Sequence, residues 1–191
     1  MKISTDIYMI TGENPNDQTG FLKRLVICLQ SGISLFQFRA KNLGDIKYIY
    51  LAKKILEIAH KYNAKLILNC SIDTFDKINA DGLQLTSARL YGYTSRPIDR
   101  NKILAASCHN KNDLIQAESI NVDFATLSPV LKTASHPKVQ PLGWNHFSKL
   151  IAATKTPVFA LGGMRTKDIS TAKENGAIGI AAIHGLWNNF D

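Results

Sequence analysis

The chain has 191 residues and a mass of 21.1 kDa; 45% of its residues are hydrophobic and 20% charged, enough for a full core and too apolar for disorder. Its 23 Lys and Arg outnumber 15 Asp and Glu, leaving a formal charge of +8 that points to anionic partners. There is no signal-peptide-like apolar stretch, no run of the ~18 apolar residues a membrane span needs, and no basic tract interleaved with aromatics, so membrane and nucleic-acid partners are not expected. Cys28, Cys70 and Cys108 are an odd number without CxxC spacing, which argues against a disulfide framework or a zinc site and fits a reducing cytoplasm.

Along the chain, β-rich runs alternate with amphipathic ones. A first run at 6–11 precedes a helical stretch at 19–30, and a second at 34–38 precedes a longer one at 45–62. In that longer stretch Ile46, Ile49, Tyr50, Ala52, Ile55, Leu56 and Ala59 recur at helical spacing, with lysines opposite. Runs at 65–69 and 82–85 follow, each leading into a segment too short or irregular to assign. The runs at 103–107, 123–127 and 157–161 lead into helical patterns at 110–118, 144–153 and 166–174, and an eighth run lies at 178–183. Several runs are continuously apolar, as strands buried on both faces must be.

Eight such units average roughly 24 residues, and no Ser/Gly linker divides them, so one domain over residues 1–191 is expected. The fold class is α/β, a compact (β/α)₈ TIM barrel, with an open doubly wound sheet as the competing arrangement. After the eighth strand only 185–191 remain, which predicts a truncated last helix and a flank for a second copy or another partner to cover.

Barrel enzymes carry their chemistry on the loops that follow the strands. Here those loops hold Arg39 and Lys41 after the second strand, Arg89, Arg96 and Arg100 after the fourth, and His109 after the fifth. Lys132, His136 and Lys138 follow the sixth strand, and Arg165 and Lys167 the seventh, so the basic excess is expected on one face. Gly162-Gly163 either cradles phosphate with its N–H groups or makes a tight strand-to-helix turn. The run 175–179 reads as a helix C-cap, and the long loop 128–143 offers Thr133, Ser135 and His136 to an anion. His60 and His146 fall on helices and read as structural.

Taken together, these residues resemble the thiamine phosphate synthase/TenI family of small barrels over nearly the whole chain. The landmarks are Tyr8-Met9-Ile10-Thr11, Gln37-Phe38-Arg39-Ala40-Lys41, Leu68-Asn69, Gly82-Leu83-Gln84-Leu85 and Ser107-Cys108-His109. Further on come 123–130 with Thr133-Ala134-Ser135, then 160–164 and 179–183. The arrangement is also similar to the domain that some bacteria fuse to a Nudix hydrolase.

The resemblance implies coupling of hydroxymethylpyrimidine diphosphate with thiazole phosphate, releasing diphosphate with Mg²⁺. By position, Gln37, Arg39, Lys41 and Asn69 would hold the pyrimidine diphosphate, and Ser107, Thr133, Ser135, Gly162 and Gly163 the other phosphate. The family's two Mg²⁺ carboxylates are replaced by Cys70 and Arg89, its loop lysine by His136, and its serine after the last strand by His184. No metal is therefore assigned, and Arg89 is expected to supply the missing positive charge. Two alternatives stay open. One is metal-free tautomerisation of thiazole phosphate, with His136 or His109 standing in for the histidine that branch carries near Pro129. The other is a non-catalytic binder of thiazole or pyrimidine phosphates.

Overall fold

The computed structural model describes residues 3–12, 15, 17–40, 42–133 and 138–188. Eight strands are present: β1 (Ile7–Ile10), β2 (Leu35–Phe38), β3 (Lys65–Leu68), β4 (Gly82–Leu85), β5 (Ile103–Cys108), β6 (Phe124–Leu127), β7 (Val158–Leu161) and β8 (Gly179–Ala182). They pair in chain order, all parallel, and β1 closes the ring on β8 with Tyr8 opposite Ala181. The expected (β/α)₈ barrel is the fold.

Alternation along each strand explains why the strands read as continuously apolar. Tyr8, Leu35, Ile67, Ile103, Phe124 and Phe159 point into the barrel. Their neighbours Met9, Phe36, Leu66, Leu104, Ala125 and Val158 point out, under the helices. Tyr8, Phe124 and Phe159 form the bulk of the inner plug, with the Tyr8 and Phe124 rings edge-on at 4.9 Å.

The outer layer consists of α1 (Gln18–Gln30), α2 (Asp45–Lys61), α3 (Ile72–Ile78), α4 (Ser87–Leu90), α5 (Lys111–Ser119), α6 (Gly143–Ile151), α7 (Ile169–Glu174, after a 3₁₀ turn at Thr166–Asp168) and α8 (His184–Trp187). Among the described residues no helix is long and apolar enough to cross a membrane. Three helices start almost directly after their strands because a capping side chain is waiting there. Ser71, Thr86 and Asn110 accept from the backbone N–H of Thr74, Arg89 and Asp113. Two of these helices, α3 and α4, fill the segments that sequence patterning left unassigned. At 7 and 4 residues they are too short to display a helical period.

The single turn of α4 corrects one expectation. The chain leaves it early and descends to the opposite end of the barrel, carrying Arg96 with it. There Arg96 Nη2 meets Asp123 Oδ2 at 2.7 Å and the Lys102 carbonyl at 2.6 Å. The cations after β4 are therefore divided between the two ends of the barrel.

The last described helix is short, as expected, and its apolar side chains pack onto the neighbouring elements. Leu186 and Trp187 are buried, and the Trp187 indole lies 4.8 Å from the Phe21 ring on α1. A side chain at Gly12 would reach within 2.8 Å of the same indole. One large aromatic thus replaces several turns of helix. Trp187→Ala should lower the unfolding free energy by about 3 kcal/mol, read from urea denaturation followed by circular dichroism. An exposed control such as Lys61→Ala should shift it by no more than about 0.5 kcal/mol.

Candidate active site

A cavity of about 1200 Å³ opens at the C-terminal ends of the strands, larger than most single-ligand pockets. Its floor is a chain of buried and half-buried polar side chains carried on or just after five of the strands. Asn69 Nδ2 donates to Gln37 Oε1 at 3.1 Å, and Gln37 Nε2 donates to the Tyr8 hydroxyl oxygen at 3.0 Å. Tyr8 O–H donates to Gln84 Oε1 at 2.9 Å, and Gln84 Nε2 donates to Ser107 Oγ at 3.0 Å. Burial drives the Tyr8 phenol far above its ordinary range, so it stays neutral and keeps its proton for Gln84.

The direction of these bonds decides what faces the ligand. Ser107 accepts from Gln84, so its own O–H is left to donate upward, as a phosphate oxygen requires. Asn69 uses one N–H on Gln37 and keeps its carbonyl and second N–H for the cavity. Tyr8 and Gln84 are functional residues that sequence reasoning passed over. Their only signal was a polar atom inside an apolar strand, where a buried partner has to exist.

On the opposite rim, Gly162 and Gly163 have φ of +101° and +74°. A Cβ would stand 2.8 Å from Pro129 Cα at Gly162 and 2.5 Å from the Lys132 carbonyl at Gly163. The reason is close approach of the loop after β6, bonded by Val130 N–H to Leu161 O and Leu131 N–H to Gly162 O. The glycines admit the neighbouring loop, and both line the cavity with Lys132 and Thr133. The run after α7 does behave as a helix C-cap, with Gly176 at φ +89°.

Gln37, Arg39, Asn69, Arg89, Ser107, His109, Thr133, Gly162, Gly163 and His184 all line this one cavity. Lys41, Ser135 and His136 lie outside the described residues. Of the other loop cations, Lys132 and Arg165 reach the cavity, whereas Arg100 and Lys167 do not line it. His60 sits at the far end of the barrel on Asp81, at 3.1 Å.

The two cavity histidines are held as opposite tautomers. His109 Nδ1 lies 3.0 Å from the Ser128 carbonyl, which only accepts, so the proton is on Nδ1 and Nε2 presents a lone pair. His184 Nδ1 accepts from Asn188 Nδ2 at 3.0 Å, which leaves its Nε2–H as a donor. Asp113, also missed from sequence, is buried and accepts from the His109 N–H, Ser87 and Tyr91. It thereby ties α4, with Arg89, to the loop after β5.

Arg89 donates through Nη1 to the Cys70 carbonyl. The Cys70 thiol is pushed up to about 12, chiefly by burial, with Arg89 drawing it partly back. Asp45 is the one carboxylate among the described residues lining the cavity, and no cluster of three or more His, Cys, Asp or Glu exists among them. A neutral thiol and a guanidinium are a poor match for the hard oxygen ligands Mg²⁺ prefers.

The buried thiols give a pH prediction. Burial places Cys28 at about 11 and Cys70 at about 12, against an ordinary thiol value of 9.0. The folded chain therefore holds protons that the unfolded chain releases, and stability should fall as pH rises from about 9 through about 12. Urea midpoints should drop between pH 8 and pH 10, and Cys70→Ser should lessen the drop.

Residues 7–186 match the family described as thiamine monophosphate synthase (TMP-TENI). A putative thiamine-phosphate synthase 2 of Aquifex aeolicus is 34% identical over 93% of this chain and 95% of its own length. A thiamine-phosphate synthase of Streptococcus suis is 30% identical over 94% of this chain and 81% of its own. One from Prochlorococcus marinus is 29% identical over 98% of this chain but only 54% of its own, so the chain spans about half of that relative. Among solved structures, thiamine phosphate pyrophosphorylase from Pyrococcus furiosus superposes with a TM-score of 0.77 at 21% identity, covering 97% of this chain and 91% of that one. The strand order, the cavity at the C-terminal strand ends and these likenesses agree: the chain belongs to the thiamine monophosphate synthase family.

Proposed function

We propose that the barrel is a thiamine-phosphate synthase that couples hydroxymethylpyrimidine diphosphate to thiazole phosphate and releases diphosphate. One observation carries this reading. The cavity sets Arg39, Arg89, Lys132 and Arg165 around an amide floor, with Asp45 as the only carboxylate among the described residues lining it. Breaking the bond to diphosphate builds negative charge on the departing oxygens, and fixed cations and donors at that place lower the barrier. Asn69, oriented by Gln37, keeps its carbonyl and second N–H for a heteroaromatic ring, while Ser107 O–H, Thr133 and the Gly162-Gly163 turn suit phosphate oxygens.

A second reading rests on His109, which lines the cavity and whose Nδ1 is turned to the Ser128 carbonyl, leaving Nε2 as the acceptor nitrogen of the neutral ring. That geometry suits a proton shuttle that isomerises thiazole phosphate without a metal. A non-catalytic binder is the third outcome. The purified chain, given both substrates, should form thiamine phosphate, and the gene should rescue growth of a host that lacks its own synthase. Arg39→Ala should lower kcat/KM by about 100-fold, and His60→Ala, at the far end of the barrel, should leave it unchanged. Tautomerisation without coupling, lost in His109→Ala, would replace the synthase reading by the isomerase; binding without turnover of either kind would leave the binder.

A further inference from the structure

We infer that the cavity binds the diphosphate group without a divalent cation, through the guanidinium of Arg89. The inference rests on reading the cavity as a diphosphate site. It goes further in saying which charge meets the anion there.

Three observations on one stretch of rim carry it. Arg89 is the third residue of α4, and its backbone N–H is anchored on the capping Thr86, so the side chain starts from a fixed turn. Its Nη1 is held by the Cys70 carbonyl at the end of β3. A guanidinium bound on one edge by a carbonyl keeps its remaining N–H groups in a plane, the geometry that matches two phosphate oxygens. Arg89 and Cys70 both line the cavity, beside the hydroxyls of Ser71, Thr74 and Thr86.

The same stretch disfavours a metal ion. The Cys70 thiol stays protonated at neutral pH, and among the described residues lining the cavity Asp45 alone offers a carboxylate. A divalent ion placed there would stand beside a fixed guanidinium with one negative side chain to offset it, and like charges at such range repel. An anion in the same position meets Arg89 directly. Across the cavity mouth Arg39, Lys132 and Arg165 add further positive charge. The cation is therefore part of the polypeptide, present before the ligand arrives and independent of metal supply.

The test uses the full chain, stripped with EDTA, and inorganic diphosphate as the probe in titration calorimetry. Binding should be equally tight in EDTA and in millimolar Mg²⁺ at matched free diphosphate. Arg89→Ala should weaken it by about 10- to 100-fold, and Arg89→Lys by less, since a point charge remains but the planar fork is lost. The double substitution Cys70→Asp with Arg89→Asp should make binding depend on Mg²⁺. A wild-type chain that binds diphosphate only with Mg²⁺ overturns the inference, and so does an Arg89→Ala variant that binds as well as wild type with an unchanged melting profile. The readout needs no coupling reaction. Loss of the synthase reading with metal-free binding intact, or the reverse, can thus be told apart.

Discussion

A polar side chain buried inside a closed barrel is costly unless a partner on another strand meets it; among the described residues Thr126 Oγ1 is left without one. Here the chain from Asn69 through Gln37, Tyr8 and Gln84 to Ser107 meets that demand across β3, β2, β1, β4 and β5. Each bond contributes about 1 kcal/mol net, but leaving one buried partner unmatched costs about 1–3 kcal/mol, so the set stands or falls together. It also seals the apolar plug of Phe124 and Phe159 from the cavity above. The Tyr8 ring packs on both aromatics while its hydroxyl belongs to the floor. One residue joins the stability of the barrel to the polarity of the site.

Above that floor, rigidity comes from very short connections. A strand that ends one to three residues before a capping Ser, Thr or Asn gives its loop almost no freedom, so Cys70, Arg89 and His109 all stand on turns fixed by hydrogen bonds. Asp113 adds a cross-link between two of those turns. The compactness of the barrel and the preorganisation of its mouth are the same fact seen twice. Helices of 4 and 7 residues save chain length, and the caps that permit them hold the rim still.

This explains what could be read from the residues alone. The eight strands were legible because their apolar runs are long enough to exceed turn chemistry, and α2 because seventeen residues display a period. Gln37, Asn69 and Ser107 were legible through the resemblance to the thiamine phosphate synthase/TenI landmarks, not through the apolar pattern. The floor was not, since Tyr8 pairs with Gln84 across 76 residues and no local pattern records such a contact. Arg96 misled because sequence order says that it follows β4, not at which end of the barrel it arrives. Only the length of α4 decides that.

The charge follows from the same geometry. Acidic residues that immediately precede a strand lie at the closed end, and there Asp6, Asp81 and Asp123 each hold a cation: Lys173 at 2.8 Å, Lys65 at 3.0 Å and Arg96 at 2.7 Å. Asp81 and Asp123 also accept a strand N–H, from Leu66 and Leu104. These carboxylates are placed by the needs of strand entry and are absent from the mouth for that reason. The cavity at the other end is lined by Arg39, Arg89, Lys132 and Arg165, with Asp45 the one carboxylate among the described residues lining it. In a barrel whose strands all run the same way, the strand end at which an acid stands decides at which end of the barrel it meets its cation.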